Sequence, residues 1–333
     1  SIGLQNRGPR VRILPLLPFL PRNSRLPPGR KLPPGPCPVI DARPMRYFRA
    51  LLILLLAASV IVLLVHQQRD KTDLAAVMKR HGLKAGVIAY GPPGKNPRIL
   101  AINAPQDQVF HYWSLSKPIT AAAVFAGVDK GLVRLDERYA GASVADLLRH
   151  AGGWDREVAG DPAHRPGRSA RCIDIPAPAR QFAPGSREAY SNIGYCLLGR
   201  MIEERFGKPY EKVVAELVPG TAGMRYDSWL GPAGGWSGTA AQYFAFARHE
   251  VDPDALERPV YARKGPYYAM GWRVLPDGTL SHYGVLTGTA ADQYTVVFKR
   301  PGWVAVGLFS GMPRDWEAAR ADLLEALAVL PAG

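Results

Sequence analysis

The chain has 333 residues and is 47% hydrophobic, which is enough to bury a sizeable core in one large or two modest domains. Its net charge of +14 belongs mainly to the N-terminal end, because residues 1–49 hold ten of the 42 basic residues and one of the 28 acidic ones. The remainder has no basic stripe interleaved with aromatic residues, so we expect no nucleic acid partner.

The N-terminal segment, residues 1–44, is rich in arginine and contains eleven prolines. Such a composition offers no periodic apolar face to bury, so we expect a disordered tail. Met45 follows directly. One hypothesis is therefore that translation naturally starts at Met45 and that residues 1–44 are an upstream extension.

A membrane-insertion signal comes next. Arg46 and Arg49 precede an apolar run at residues 50–65. A positive flank before a run close to the shortest length that spans a bilayer favours an uncleaved transmembrane anchor at residues 45–68 over a cleaved signal peptide. This topology predicts a single-pass membrane protein whose residues 69–333 are periplasmic or extracellular.

Residues 69–333 have the pattern of one mixed α+β domain. A short helix is predicted at LAAVMKRHG, strands at AGVIAYG, RILAINA, TLSHYG, QYTVVFKRPG and WVAVGLFSG, and a closing helix at RDWEAARADLLEALAVL. Strands at both ends with helices between them predict an antiparallel sheet built from both ends of the domain, with a helical lobe against it.

The three cysteines, Cys37, Cys172 and Cys196, lack the spacing of a metal site. Pairing of Cys172 with Cys196 in a disulfide requires an oxidising compartment. Buried free thiols are at least as well favoured by the sequence, which leaves the choice open.

The segment HYWSLSKPIT places Ser114 and Lys117 at the start of a predicted helix. Pro118 is tolerated only near a first turn, which puts the helix start close to Ser114, and residues three apart share one helix face. A serine hydroxyl needs a base to become a nucleophile, and lysine can serve when burial lowers its pKa. S-x-x-K alone is a weak pattern whose alternative is a polar helix start, and Ser116 is expected to be structural.

Two later segments contain candidate partners. Tyr190 and Asn192, in PGSREAYSN, lie two residues apart on a predicted extended segment and so point to the same side. In TLSHYGVLTG, His282 and Gly284 fall on a predicted strand, where glycine lets a ligand or another backbone approach closely. Other histidines are expected at the surface or in packing: His111, His150 and His164.

The triple S-L-S-K, Y-S-N and H-Y-G, in this order, resembles the serine hydrolase superfamily of β-lactamases and D-Ala-D-Ala peptidases. The tyrosine and histidine forms of the last two motifs are similar to the class C β-lactamase, D-alanyl carboxypeptidase and esterase branch. SVADLLRHAGGWD, AGGWSGTAAQYFAFARH and YYAMGW also resemble family landmarks in the family's order. The resemblance covers residues 74–330 and implies a β-lactamase/transpeptidase-like fold.

The resemblance implies that Ser114 attacks an acyl carbonyl to form an acyl-enzyme. Lys117 and Tyr190 then share the proton as base and acid. These side chains supply the nucleophile and the proton transfer, so no metal or organic cofactor is expected.

It also implies a set of substrate-binding residues. Asn192 is expected to orient Lys117 and to hold a substrate amide, and His282 to line the pocket and assist the tyrosine or a substrate carboxylate. The backbone N–H groups of Ser114 and Val285 are expected to form an oxyanion hole beside Gly284.

The expected function is hydrolysis of a peptide-like amide, a β-lactam or an ester through an acyl-enzyme, in the cell envelope. The partners expected are a small-molecule or peptidoglycan-like substrate and, through the anchor, a membrane. An esterase for small acyl esters and a non-catalytic penicillin-recognising domain are the alternatives. Trp113 and Tyr283 are bulkier than the residues the family commonly has there, which predicts a narrowed or reshaped pocket.

Overall fold

The computed structural model describes residues 43–158, 160–164, 169–287 and 292–330, with backbone only for residues 43–50 and 62–72. Apart from its last two residues, the predicted disordered tail lies outside the described residues. The chain divides into two compact units, Ser1–Ala58 and Ser59–Gly333.

The helices, in chain order, are α1 (Arg43–Arg80), α2 (Ser116–Asp129), α3 (Val144–Leu148), α4 (Asn192–Phe206), α5 (Tyr210–Leu217), α6 (Gly231–Gly234), α7 (Ala240–Ala247) and α8 (Trp316–Ala328). The strands are β1 (Ala85–Gly91), β2 (Arg98–Ile102), β3 (Phe110–His111), β4 (Arg138–Tyr139), β5 (Ala142–Ser143), β6 (Arg225–Tyr226), β7 (Trp236–Gly238), β8 (Tyr267–Tyr268), β9 (Arg273–Val274), β10 (Leu280–Val285), β11 (Gln293–Arg300) and β12 (Trp303–Ser310). Short 3₁₀ turns lie at Trp113–Leu115, Pro162–His164, Cys172–Asp174 and Pro253–Leu256.

The α1 helix changes two of the predictions. The segment LAAVMKRHG was expected as a separate short helix, but it is the last part of α1, because no glycine or proline interrupts the chain from residue 45 to residue 80. Within the part of the chain whose side chains the structure describes, no helix is long and apolar enough to cross a membrane. Most residues of the predicted anchor at residues 45–68 have side chains that the structure does not describe, so this prediction receives no support here.

The predicted antiparallel sheet is confirmed. Seven strands lie in the order β2-β1-β12-β11-β10-β9-β8. The strand β1 pairs with β12 from Ala85↔Ser310 to Gly91↔Val304, so the two ends of the domain meet in the middle of the sheet. A turn at Pro301 and Gly302, which the prediction included in the preceding strand, connects β11 to β12, and Gly302 has a φ of 73° there.

Side chains of the central strands are buried on both faces of this sheet. In β1, Val87 and Ala89 contact the core of the helical lobe, whereas Ile88 and Tyr90 contact a second core that includes residues of α8 and the end of α1. Successive residues of a strand point to opposite faces, which explains this division. The predicted helical lobe and closing helix are therefore present, one on each side of the sheet.

Candidate active site

Ser114 lies in the 3₁₀ turn that leads into α2, next to the strand β10. The predicted helix start is thus displaced, since the turn occupies Trp113–Leu115 and α2 begins at Ser116. Trp113 has a φ of 49°, a left-handed conformation that is costly for a bulky residue. This backbone geometry presents Ser114 to a cavity of about 240 Å³.

Lys117 is fully buried beside the serine. Its Nζ lies 3.3 Å from Ser114 Oγ and donates to two carbonyl oxygens at 2.7 Å each, Asn192 Oδ1 and Ala233 O. Burial lowers the pKa of Lys117 well below its ordinary value, with Arg156 lowering it further and Asp161 opposing the shift. A neutral amine has two N–H bonds and one lone pair. With both N–H groups taken by carbonyl oxygens, the lone pair is left for the Ser114 hydroxyl.

Tyr190 contacts the serine from the other side. Its hydroxyl lies 2.7 Å from Ser114 Oγ and donates to it. Burial raises the pKa of Tyr190, although the hydrogen bond to Ser114 lowers it in part. The tyrosine is therefore protonated at neutral pH, which suits a proton donor better than a base.

Asn192 is the first residue of α4, and Ser191 caps this helix by accepting from Ile193 N. The cap turns the chain so that Tyr190, which precedes it, and Asn192, which follows it, both reach the Ser114–Lys117 pair. The structure thus brings together four of the predicted site residues, which lie as much as 78 positions apart in the chain.

His282 is buried on β10 and lines the same cavity. Its Nδ1 lies 2.9 Å from Tyr283 O, which can only accept, so the other nitrogen accepts from the Tyr268 hydroxyl at 2.9 Å. Burial, and secondarily Lys117, lowers the pKa of His282 to about 3. The ring is neutral, and its two nitrogens form hydrogen bonds with Tyr268 and Tyr283. Among the described contacts, His282 therefore forms no hydrogen bond with Tyr190, which it was expected to assist.

Gly284 and Val285 lie where β10 passes the 3₁₀ turn that carries Ser114. A Cβ on Gly284 would collide with Tyr112 O and Thr295 Oγ1 and would lie 3.1 Å from Ser114 N. Of the two predicted reasons for this glycine, the close approach of another backbone is the one observed. Val285 lines the cavity together with Ser114, which is where the predicted oxyanion hole requires it.

Trp113 is buried away from the 240 Å³ cavity. Its ring packs in a small cluster with Trp229, Leu230 and Leu286 and stacks on His111 with ring centroids 4.6 Å apart. The space between this cluster, Ser114 and Asn192 is only about 10 Å³. Bulky side chains therefore leave little room on this side of Ser114.

Four polar residues near the site were not predicted. Arg156 and Arg273 line the cavity, and Arg273 lies opposite Ser281 in the β9–β10 ladder. The β-hairpin signal of Asp277-Gly278 between two apolar runs is the pattern that predicts this pairing.

His150 was expected at the surface or in packing. It does pack, and its ring centroid lies 4.1 Å from that of Tyr190. Asp161 is fully buried behind Asn192, and no local sequence pattern marks it.

Comparison with known proteins agrees with this geometry. Residues 74–261, more than half of the chain, match the model of the beta-lactamase family. The chain belongs to the beta-lactamase family. The narrower assignment to the class C branch stays a prediction.

Curated proteins with hydrolase names are similar to this chain over part of its length. They include the D-alanyl-D-alanine-carboxypeptidase/endopeptidase AmpH of Escherichia coli, 32% identical over 160 residues that cover 41% of this chain and 40% of that protein. Esterase EstB of Burkholderia gladioli is 29% identical over 233 residues that cover 60% and 55%. The chain thus spans less than two thirds of the length of these relatives.

Solved structures of the beta-lactamase type share the fold. The D-amino acid amidase from Ochrobactrum anthropi superposes with a TM-score of 0.62 at 18% identity, covering 78% of this chain and 100% of that one. The penicillin binding protein from Bacillus halodurans superposes with a TM-score of 0.60 at 19% identity, covering 76% and 99%. At these identities the likeness concerns the fold alone.

Proposed function

We propose that this member of the beta-lactamase family is a serine hydrolase that forms an acyl-enzyme at Ser114. The observation that carries the proposal is the environment of Ser114 Oγ. It receives a hydrogen bond from Tyr190 at 2.7 Å and lies 3.3 Å from a buried Lys117 whose two N–H groups are taken by carbonyl oxygens. A lone pair aimed at a serine hydroxyl is what a general base requires.

The steps follow from these contacts. Ser114 Oγ bonds to the substrate carbonyl carbon while its proton passes to Lys117 Nζ. The carbonyl electrons move onto oxygen, where the N–H groups of Ser114 and Val285 receive the negative charge. The C–N or C–O bond then breaks as the leaving group takes the Tyr190 proton. Lys117 then passes the proton it took from Ser114 to the Tyr190 oxygen. Water attacks the acyl carbon, its proton is carried through Tyr190 and Lys117 to Ser114 Oγ, and the bond between the acyl carbon and Oγ breaks to release the carboxylic acid.

We further propose that the substrate carries a carboxylate. Arg273 lines the cavity with Ser114. The Glu188 carboxylate acts on Arg273 electrostatically, but none of the described carboxylates lies within 4.0 Å of its guanidinium. Ser281, opposite Arg273 on the same face, has a buried Oγ without a hydrogen-bond partner among the described residues. A guanidinium beside a free hydroxyl favours a carboxylate ligand. Peptide C termini and β-lactams both present one, and the similarity to AmpH points the same way.

The test is acylation of the full-length chain by a labelled penicillin, followed by intact mass. A lasting adduct on Ser114 indicates peptidase-like chemistry, and rapid turnover indicates a lactamase. Loss of the reaction in Ser114→Ala is expected, and an undiminished reaction in that variant would overturn the proposal.

Ser116→Ala is the matched control. Ser116 is also a buried serine of the S-L-S-K segment, but its Oγ accepts from Trp236 N and not from the lysine. This variant should keep acylation and lose about 1 kcal/mol of stability with the hydrogen bond.

An esterase for small acyl esters is the second candidate. The observation that favours it is size, since 240 Å³ lies below the common range of about 300–1,000 Å³ for ligand pockets. The similarity to esterase EstB is in line with it. Cleavage of p-nitrophenyl acetate that depends on Ser114, without penicillin acylation, would select this candidate. Arg273→Gln separates the two, because it should slow penicillin acylation far more than ester cleavage.

We propose that the catalytic unit works outside the cytoplasm, in the cell envelope. The support is the disulfide between Cys172 and Cys196, which forms and persists in oxidising compartments. The anchor at residues 45–68 remains a prediction. A reporter fused after residue 333 should be active only outside the cytoplasm, and activity inside it would refute this location.

A further inference from the structure

A buried carboxylate lies behind Asn192, on the side away from Lys117. Asp161 is fully buried, and its Oδ1 accepts from Asn192 Nδ2 at 2.7 Å and from Ala163 N at 3.0 Å. Its Oδ2 accepts from Asn192 N at 2.9 Å. Three N–H groups thus converge on one carboxylate, and two of them belong to Asn192.

These contacts decide which way the Asn192 amide faces. A carboxylate only accepts hydrogen bonds, so the Asn192 NH₂ group must face Asp161 and the amide oxygen must face Lys117. The opposite orientation would place two acceptors in contact at Asp161. It would also direct an amide N–H at the Lys117 lone pair that has to receive the Ser114 proton.

We propose that Asp161 is a positioning residue that fixes the Asn192 amide with its oxygen toward Lys117 and so keeps the Lys117 lone pair directed at Ser114. Its effect on catalysis rests on the proposed function, in which Lys117 is the base for Ser114. The positioning itself is a property of the buried chain Asp161–Asn192–Lys117.

The charge of Asp161 acts on Lys117 as well. The titratable groups facing Lys117 from the surrounding elements are Asp161, Arg156, His150, His282, Tyr190 and Tyr195. Burial lowers the pKa values of both histidines and raises those of both tyrosines, which favours their neutral forms. This leaves Asp161 as the negative charge and Arg156 as the positive charge that oppose each other at Lys117.

The experiment measures the Lys117 pKa directly. The full-length chain is prepared with ¹³C-labelled lysine, and the Lys117 signal is assigned by its loss in Lys117→Arg. Asp161→Asn should lower the Lys117 pKa by about one unit, because it removes a nearby negative charge at nearly constant volume. The acid limb of kcat/KM should move to lower pH by the same amount. The rate on its plateau should fall at least about tenfold, because the amide is no longer held in one orientation.

The matched control is Asp155→Asn. It removes a carboxylate six residues away, whose partners among the described residues are Glu157 N and Arg187 and not Asn192. The Lys117 pKa should stay at the wild-type value in this variant.

A second variant keeps the inference testable if Asp161→Asn does not fold. The double change Asp161→Asn with Asn192→Asp keeps one carboxylate and one amide in the buried pair but moves the charge next to Lys117. It should raise the Lys117 pKa above the wild-type value.

An unchanged Lys117 pKa in folded Asp161→Asn would overturn the inference. If that variant does not fold, a pKa at or below the wild-type value in the double variant would overturn it instead. The proposed function would be refuted if no substrate acylated the wild-type chain. The positioning role would still stand if the Lys117 pKa fell in Asp161→Asn and rose in the double variant.

Discussion

At the scale of single residues, the proposed chemistry depends on Lys117 reacting as a neutral amine. Lys117 is enclosed by protein, burial lowers its pKa, and its two carbonyl acceptors match the two N–H groups of a neutral amine. An ammonium group has a third proton, which would point at Ser114 Oγ and leave no lone pair to accept from it. In the proposed function, burial is therefore what suits Ser114 and Lys117 to act as nucleophile and base.

Lys117→Arg should abolish acylation at every pH, because a guanidinium keeps its proton and offers no lone pair. In the wild type, kcat/KM should rise with pH through the lowered Lys117 pKa, since the neutral amine is the active form. The rate of penicillin or ester acylation, followed from pH 5 to pH 10, measures both. Lys130→Arg, at an exposed position just after α2, is the control and should retain the wild-type profile. Substantial acylation by Lys117→Arg would rule out the lysine as the base.

Gly284→Ala should separate β10 from the turn that carries Ser114, because the new methyl group would collide with Tyr112 O. The expected result is a fall in kcat/KM of about 10²-fold, with about 1–3 kcal/mol lost from the free energy of unfolding. Steady-state kinetics and urea unfolding measure the two effects. Gly94→Ala is the control, since its Cβ would meet nothing within 4 Å. Wild-type kinetics in Gly284→Ala would show that the close approach is unimportant.

At the scale of elements, the site depends on how α4 is held against its neighbours. The disulfide joins Cys172, in the 3₁₀ turn at Cys172–Asp174, to Cys196 in the second turn of α4. It closes the loop that carries Tyr190 and Asn192. Of the two alternatives open at the level of sequence, the structure has the disulfide rather than free thiols.

Reduction of the disulfide should lower the free energy of unfolding by about 3 kcal/mol, because it restores the entropy of a loop with 24 residues of separation. Urea unfolding with and without dithiothreitol measures the difference. The double variant Cys172→Ala with Cys196→Ala should be insensitive to the reductant. Identical midpoints for oxidised and reduced wild type would contradict the stabilising role.

At the scale of the whole molecule, the unit Ser59–Gly333 buries charge-sensitive groups in its interior. His150 and His282 are both buried in the aromatic cluster around Tyr268, and burial lowers the pKa values of both. In the unfolded chain these rings take up protons near pH 6.5, whereas in the folded protein they resist protonation. Acid therefore favours the unfolded state.

The free energy of unfolding should fall as the pH falls below 6.5. His282 alone should contribute about 1.4 kcal/mol per pH unit down to its folded pKa of about 3, because the unfolded state binds the extra proton. Urea unfolding between pH 7 and pH 4 measures the slope. His282→Gln keeps an acceptor for Tyr268 and should flatten the slope, while His164→Gln, at an exposed histidine, should leave it unchanged. A slope independent of His282 would contradict its neutral burial.

Local patterns predicted the framework of the fold. The strands β1, β2, β10, β11 and β12 and the closing helix α8 are where the sequence predicts them, because short apolar runs bounded by Pro and Gly and the helical periodicity of α8 depend only on near neighbours in the chain. The end of α1 was wrongly separated from the rest of the helix, since apolar and polar stretches can share one uninterrupted helix.

The order of the three motifs and the spacing of Ser114 and Lys117 can be read from the chain, because helical periodicity is local, and the family resemblance predicted that Tyr190 and Asn192 act with this pair. The three-dimensional structure adds the contacts between these four side chains, the enclosure of the lysine and the position of Asp161 behind the amide. These features depend on distances through space and on burial, which positions along the chain do not record. The same reason accounts for Arg273, since its place in the cavity follows from strand register and from the approach of β10 to the turn that carries Ser114.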